Sequence, residues 1–298
     1  MQPWKEALLA IDPHLDIDIW PDVKDRNRVT FAVCWNHLHG VLEHYPNLNA
    51  VLSLGAGADH LLNDTSIPET VKLGRIVTPG LKEEIADYVL HAVLSYRRNG
   101  PAYVIQAGEG RWKPHTVIPK AQCTVGVLGM GEMGRSIART LIKNGYNVSG
   151  WSNSEKDEKH MKTYAGREQL FEFLSHTHIL VCALPLTAQT EGILNLELFK
   201  QLQSPAYLIN VGRGAHLIEE DLIYALDIGL LSGACLDVFE QEPLPESHVF
   251  WGRSNIMITP HVASVTPLNE ASAFIADDYK RVLSGIDMKL PVNRSLSY

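Results

Sequence analysis

Residues 125–134 read VGVLGMGEMG, and RSIARTLIKNG follows them directly. The apolar run before Gly129 reads as a buried parallel strand. Ile137, Ala138 and Leu141 then give the next segment the single apolar face of a helix, which Gly145 closes. Between strand and helix lie Gly129, Gly131 and Gly134 in a GxGxxG spacing. The three glycines serve different ends. The first makes the turn tight, the second lets backbone N–H groups approach a pyrophosphate, and the third lets helix and strand pack closely. The spacing alone also fits a purely structural turn. With a strand before it and a helix after it, it reads as a dinucleotide-binding turn whose phosphates rest on the positive helix end.

The same alternation runs outward from this turn. From about residue 121 to 260, the apolar runs CTVGVLG, NVSGW, HILVCALP, YLINVG, GACLDVF and NIMITPH alternate with amphipathic stretches. This predicts an α/β fold with a doubly wound parallel sheet, helices on both faces and ligands at the carboxyl ends of the strands. Upstream, RVTFAVCW, NAVLSLGAGADHLL and GRIVTPG precede a helical EEIADYVLHAVLSYRR and suggest a second, smaller α/β domain. Two domains also suit 298 residues, more than one core usually organises. Residues 99–119, rich in Gly, Pro and polar side chains yet holding Tyr103 and Trp112, suit an extended arm. LNEASAFIADDYKRVLSG reads as a helix after the last strand of the nucleotide domain, free to return to the first domain.

Composition narrows the function classes. The net charge of −8 argues against a nucleic-acid or anionic-membrane partner, so an anionic substrate must find local positive charge. No apolar run approaches the ~18 residues a bilayer span needs, and MQPWKEALLA lacks a signal peptide's apolar core, which makes the cytoplasm the expected location. Cys34, Cys123, Cys182 and Cys235 lie in or beside apolar runs without CxxC pairing and read as buried reduced thiols. His37/His39 and His176/His178 form HxH pairs, but no cysteine or carboxylate cluster joins them at ligand spacing, so no metal is expected.

Three ionisable residues follow strand candidates at the sheet edge where ligands bind: Arg213 in NVGRG, Glu242 in DVFEQEPLP and His261 in ITPHVAS. Singly, each reads as a surface or turn residue. Together, downstream of a dinucleotide turn, they read as a catalytic set.

With these stretches in place, the chain resembles the D-isomer-specific 2-hydroxyacid dehydrogenases, and within them the glyoxylate/hydroxypyruvate reductase A group. The matching segments are LSLGAGADHLL, VGVLGMGEMG, GWSNSEK, AGREQLFEFL, LPLTAQTEGILN, YLINVGRGAHLIEEDL, GACLDVFEQEPLP and ITPHVAS, spread over nearly the whole chain. The resemblance implies two Rossmann-like domains around a cleft. The substrate domain, smaller and flavodoxin-like, would take residues 1–90 and 267–298, and the NAD(P)-binding domain residues 91–266. A homodimer is implied, with its arm at about 99–119.

By the same resemblance, His261 is the acid that protonates a carbonyl oxygen as hydride arrives from a nicotinamide. Glu242 keeps His261 protonated, since a nearby carboxylate favours the imidazolium. Arg213 clamps a 2-oxo acid and polarises its carbonyl with a fixed, forked charge. The N–H groups of Ala56 and Gly57 would receive the substrate carboxylate, although a plain turn explains those residues equally well. Trp35 and Trp112 match tryptophans lining the substrate pocket, and Leu81 is a further pocket candidate. Toward the cofactor, Met130, Glu132 and Met133 lie within the glycine turn; Leu184, Pro185 and Thr190 flank the adenosine side; Val211 and Gly212 lie along the nicotinamide path; and Asp237 would pair with the carboxamide.

Folds that bind NAD usually place an acid about 20 residues beyond the glycine turn for the ribose 2′-OH. Here the second strand ends in Ser152, Asn153 and Ser154. With hydroxyls there and Lys156 or Lys159 nearby, NADPH is favoured over NADH. The reductase A group more often has arginine where Asn153 stands, and Glu155 opposes a phosphate, so both departures weaken that preference. Family members also open with a short strand before the helix matching QPWKEALLAI, whereas this sequence begins at the helix; the expectation is either a substrate domain short of one strand or a true start upstream.

The function expected is reduction of glyoxylate to glycolate and hydroxypyruvate to D-glycerate. The alternatives are another D-2-hydroxyacid dehydrogenase such as phosphoglycerate dehydrogenase, and a dinucleotide-sensing corepressor of the same fold.

Overall fold

The structure, a computed structural model, describes residues 1–295. In chain order it contains helix α1 (Gln2–Ile11), strands β1 (Phe31–Cys34) and β2 (Ala50–Ser53), helix α2 (Asp59–Leu62), strand β3 (Lys72–Arg75), and helices α3 (Pro79–Arg97) and α4 (Gly100–Gly108). Next come strand β4 (Thr124–Leu128), helix α5 (Glu132–Lys143), strands β5 (Asn147–Ser152) and β6 (Lys162–Ala165), helix α6 (Leu170–Ser175), strand β7 (Ile179–Cys182) and helix α7 (Leu196–Phe199). The chain continues through strand β8 (Ala206–Asn210), helix α8 (Glu219–Asp227), strands β9 (Leu231–Leu236) and β10 (Ile256–Ile258), and helix α9 (Leu268–Leu283).

Two compact units result: Met1–Leu81 with the chain from Val265 onward, and Lys82–Ser264. The first boundary falls inside α3, ahead of the 90/91 division expected from sequence. The reason is packing: Ile85, Val89, Ala92 and Val93 of α3 belong to the same core as Val125 and Val127 of β4.

The first unit is built on three parallel strands in the order β1-β2-β3. Side chains of β2 alternate as a pleat requires. Ala50 and Leu52 pack with Leu8 of α1 and with Ala271 and Ile275 of α9, while Val51 faces Leu61, Ile67 and Leu73.

The second unit holds seven parallel strands in the order β10-β9-β8-β7-β4-β5-β6. All six apolar runs of the sequence are strands in it. After β6 the chain crosses back to pair β7 with the free edge of β4, Leu128 opposite Cys182, so the order reverses between β4 and β7. That reversal is the switch point where an open α/β sheet binds ligands, beyond its strand ends. Strands β7 and β8 are buried throughout, as a sheet covered on both faces demands. Helix α5 buries Ile137, Ala138 and Leu141, and Gly145 just past its end takes a φ of +78°.

One segment differs from its sequence reading. Residues 99–119 are not extended throughout, because α4 occupies Gly100–Gly108 before an irregular stretch over 111–119. Pro101 falls in the first turn, where its missing N–H costs nothing, and AYVIQA behind it carries no breaker. No helix among the described residues is long and apolar enough to cross a membrane.

The four cysteines are free thiols, three of them buried and Cys34 partly so. Burial pushes the Cys182 thiol up to about 12 and that of Cys235 to about 11, which keeps both protonated at neutral pH.

Candidate active site

Arg213, Glu242 and His261 follow β8, β9 and β10, three neighbours in the sheet, so the fold brings their loops to one edge. His261 and Glu242 touch. Nδ1 of His261 lies 2.7 Å from Glu242 Oε2, and Glu242 Oε1 accepts the Phe239 N–H at 2.9 Å. A carboxylate only accepts, so Nδ1 carries the proton in this pair. Both side chains remain about one-third exposed, at 32% and 35%, so ligand and solvent protons can reach them.

The loop carrying His261 is pinned from below. Its N–H donates to the Asp237 carbonyl at 2.8 Å, and the Asp237 carboxylate accepts from Thr259 Oγ1 at 2.6 Å, Val262 N at 2.8 Å and Ala263 N at 2.9 Å. Asp237 is only 2% exposed, and these three hydrogen bonds fix its carboxylate against the loop. The Tyr88 hydroxyl adds a 2.5 Å hydrogen bond to Thr259 Oγ1 and lies 3.2 Å from Cys235 Sγ. Burial pushes the Tyr88 phenol well above its ordinary range, with Cys235 adding to the shift, so it stays a neutral buttress.

Arg213 sits in a second hydrogen-bonded loop. Asn210, fully buried, donates to the Arg213 carbonyl at 3.0 Å and accepts the Gly212 N–H at 3.1 Å. His216, also fully buried, accepts the Arg213 N–H through Nδ1 at 3.0 Å. Its Nε2 therefore bears the proton and faces the Pro185 carbonyl at 3.2 Å, which ties the loop after β8 to the loop after β7. The Arg213 Nη1 donates to the Gly212 carbonyl at 2.8 Å. Gly214 makes the close approach possible, since a Cβ there would lie 1.8 Å from the Phe239 carbonyl carbon. Sequence reasoning does not single out Asn210, His216, Thr259 or Tyr88 as site residues. Asn210 and His216 bracket the NVGRGAH stretch, and that spacing is the available signal.

The glycine turn lies at the switch point and fits a dinucleotide. Gly129 adopts a φ of +101°, and a Cβ on Gly134 would fall 1.7 Å from the Gly129 carbonyl oxygen. Gly131 caps α5 with no side chain, and a Cβ there would meet nothing within 4 Å. The space beside Gly131 at the start of α5 is thus open to a pyrophosphate. Met130 is 1% exposed and packs on Gly150, so only its backbone is available to a ligand; Met133 is partly buried in the same core. Glu132 in the first turn is paired with Lys82 Nζ at 3.3 Å, which offsets an acid otherwise adverse to phosphate.

At the end of β5, Ser152 is buried and its hydroxyl donates to the Ser154 carbonyl at 2.7 Å, while Asn153 and Ser154 are exposed. Beyond β7, Thr190 Oγ1 donates to the Pro185 carbonyl at 2.7 Å, fixing that loop. Leu184, Val211 and Gly212 are buried.

In the first unit, Ala56 and Gly57 follow β2. Arg75 Nη1 donates to the Ala56 carbonyl at 3.1 Å and Ser53 Oγ to the Gly57 carbonyl at 2.7 Å. Trp35 is 41% exposed, and its ring covers Gly55, where a Cβ would lie 2.6 Å away. Leu81 is buried at 2% exposure, whereas Trp112 of the second unit stands fully in solvent. No group of three or more metal-ligating side chains occurs among the described residues.

A pyrophosphate cradle at a sheet switch point, with a carboxylate-held histidine and an arginine at the neighbouring strand ends, defines a dinucleotide-dependent oxidoreductase. Residues 90–263 match the model of the D-isomer specific 2-hydroxyacid dehydrogenase, NAD binding domain. The chain belongs to the D-isomer-specific 2-hydroxyacid dehydrogenase family. It is 37% identical to a glyoxylate/hydroxypyruvate reductase A of Photorhabdus laumondii, over 96% of this chain and 95% of the relative. Among solved structures it resembles a D-isomer specific 2-hydroxyacid dehydrogenase of Xanthobacter autotrophicus Py2 in complex with NADPH and MES, with a TM-score of 0.94 and 36% identity over 100% of this chain and 96% of that one. An NADPH-dependent glyoxylate/hydroxypyruvate reductase of Sinorhizobium meliloti, in complex with NADP and sulfate, gives 0.93 and 33% over 100% and 96%.

Proposed function

We propose that the protein is an NADPH-preferring reductase of small 2-oxo acids that converts glyoxylate to glycolate and hydroxypyruvate to D-glycerate. The observation that carries this reading is the 2.7 Å contact between His261 and Glu242, with Glu242 itself held by the Phe239 N–H. The nicotinamide, when bound, supplies the hydride. His261 gives the proton from Nε2 to the carbonyl oxygen, and Glu242 on Nδ1 keeps the ring oriented. Arg213 holds the 2-oxo acid with its fork and stabilises charge developing on the oxygen. In the first unit, the N–H groups of Ala56 and Gly57 receive the carboxylate, and Trp35 bounds the pocket.

Gly129, Gly131 and Gly134 cradle the pyrophosphate. Leu184, Pro185 and Thr190 shape the adenosine side, and Val211 and Gly212 the nicotinamide path. Asp237 holds the loop that carries His261 and is the partner for the nicotinamide carboxamide. The absence of an acid at Ser152, Asn153 and Ser154 supports the 2′-phosphorylated cofactor. Trp112, Val104 and Tyr103, exposed on residues 99–119, support a homodimer formed through that arm. Four free thiols support a reducing compartment, the cytoplasm.

The deciding experiment is oxidation of NADPH and of NADH, followed by absorbance on the purified protein with glyoxylate, hydroxypyruvate, pyruvate and 3-phosphohydroxypyruvate. Fast turnover of the first two acids with NADPH is the expected result. Preference for 3-phosphohydroxypyruvate would move the assignment to a phosphoglycerate dehydrogenase, and binding of dinucleotide without turnover would make it a sensor.

A further inference from the structure

Arg135 follows Gly134 in α5 and points to a cofactor contact outside the glycine turn and the β5 end. Its Nε lies 3.0 Å from Glu158 Oε1 in an ion pair without hydrogen-bond alignment, and the same carboxylate takes Arg139 Nη2 at 3.1 Å on each oxygen. Glu158 is 6% exposed and Arg135 32%, so the acid is the anchored member and the guanidinium lies toward the surface. The pair engages only the Nε edge of Arg135. Its two terminal nitrogens, with four N–H groups, have no partner among the described residues.

Glu158 belongs to the segment over 153–161, which starts where β5 ends, the place where this fold reads the adenosine ribose. That segment is itself held down, with Ser152 Oγ on the Ser154 carbonyl and Thr163 Oγ1 on the Lys156 carbonyl at 2.8 Å. It offers a ribose phosphate no arginine, and Glu155 adds an opposing charge. Charge along α5 compensates. Arg135, Arg139 and Lys143 of α5 and Lys82 of α3 line one depression of about 250 Å³ with a single acid, Glu132, which leaves a local excess of positive charge in a chain of net charge −8.

We propose that Arg135, oriented by Glu158, is the specificity-determining cation for the 2′-phosphate of the dinucleotide, its terminal nitrogens forking onto the phosphate while Nε stays on the carboxylate. Arg139 is a positioning residue that fixes Glu158. A forked guanidinium suits a phosphate better than an ammonium does. This proposal rests on the NADPH reading above.

Calorimetric titration of the full chain with 2′,5′-ADP and with 5′-AMP isolates the 2′-phosphate without any turnover. The unaltered protein binds 2′,5′-ADP more tightly. Arg135→Gln lowers that affinity about ten- to a hundredfold, the worth of charge-assisted hydrogen bonds, and leaves 5′-AMP binding unchanged. Arg135→Lys restores only part of the loss. An undiminished preference for 2′,5′-ADP in Arg135→Gln, or equal losses for both ligands, overturns the assignment of Arg135. Equal binding of the two ligands by the unaltered protein would instead overturn the NADPH reading, and this proposal with it.

Discussion

His261 adopts a φ of +55°, the left-handed region that a side chain enters at a cost of about 1–3 kcal/mol unless its surroundings over-determine it. Here they do: Asp237 accepts the His261 N–H on its carbonyl and the next two N–H groups on its carboxylate. The ring is thereby set against Glu242. His261→Ala is expected to lower kcat by roughly two to four orders of magnitude and leave dinucleotide affinity intact, read by steady-state kinetics and fluorescence titration. Arg213→Lys keeps the charge but loses the fork, so both kcat and the KM for hydroxypyruvate should deteriorate; wild-type constants would make Arg213 structural. These three residues are legible in the sequence because each follows an apolar run at the ligand edge of the sheet. Asn210, His216, Thr259 and Tyr88 are not, because they act through hydrogen bonds that join loops distant in sequence. Asp64 is another such residue. Burial alone would raise its carboxyl, but hydrogen bonds from the Ser66 hydroxyl, His37, and the Ser66 and Gly40 N–H groups outweigh burial and hold it down at about 2. A depressed carboxyl stabilises the fold above its unfolded value near 4, and that contribution is lost as pH falls from there toward 2. The loss is about 2 kcal/mol, so Asp64→Asn should flatten the acid limb of stability measured by urea unfolding between pH 4 and 2.

Among elements, the β4-turn-α5 unit makes the sharpest demand on sequence. A Cβ at Gly134 meets backbone, which cannot step aside, whereas one at Gly131 meets open space and its φ of −80° suits any residue. Gly134→Ala should therefore push α5 off β4, destabilise the protein by about 1–3 kcal/mol or more and weaken dinucleotide binding. Gly131→Ala should melt normally yet bind the dinucleotide more weakly, because its methyl occupies the open space at the start of α5. Thermal melts paired with dinucleotide titration separate the two, and equal melting temperatures for both variants would contradict the packing argument. This element is legible because its period changes from a continuous apolar run to a helical stripe at the glycines. The edge strand β6, KTYA, is not: four residues with a partly polar face carry too short a pattern. Nor does sequence separate α4 from the irregular arm behind it, because its glycines and proline sit at the ends of a short helix and colour the composition of the whole segment.

In the molecule as a whole, one short stretch gathers several exposed apolar side chains. Val104 is 75% exposed, Trp112 fully so, and Tyr103 and Ile105 near 40%. Sequence can place an arm there, since aromatic residues among Gly, Pro and polar ones form no core of their own, but it does not say what covers them. A second copy of the chain is the occupant that the proposed homodimer supplies, through a self-complementary contact. Sedimentation equilibrium should then give twice 33.1 kDa, and Val104→Lys should shift the population to monomer by placing a charge in the apolar contact. Trp112→Ser probes a further step. If this ring only holds the copies together, the variant weakens association and regains normal kinetics at high protein concentration, where the dimer is restored. If it also bounds the substrate pocket, as its match to pocket tryptophans implies, the KM for hydroxypyruvate stays raised at concentrations where sedimentation still finds a dimer. The second outcome is the one expected, because no side chain among the described residues of its own subunit shields Trp112 from water. A monomeric wild type with full activity would remove the need for either role.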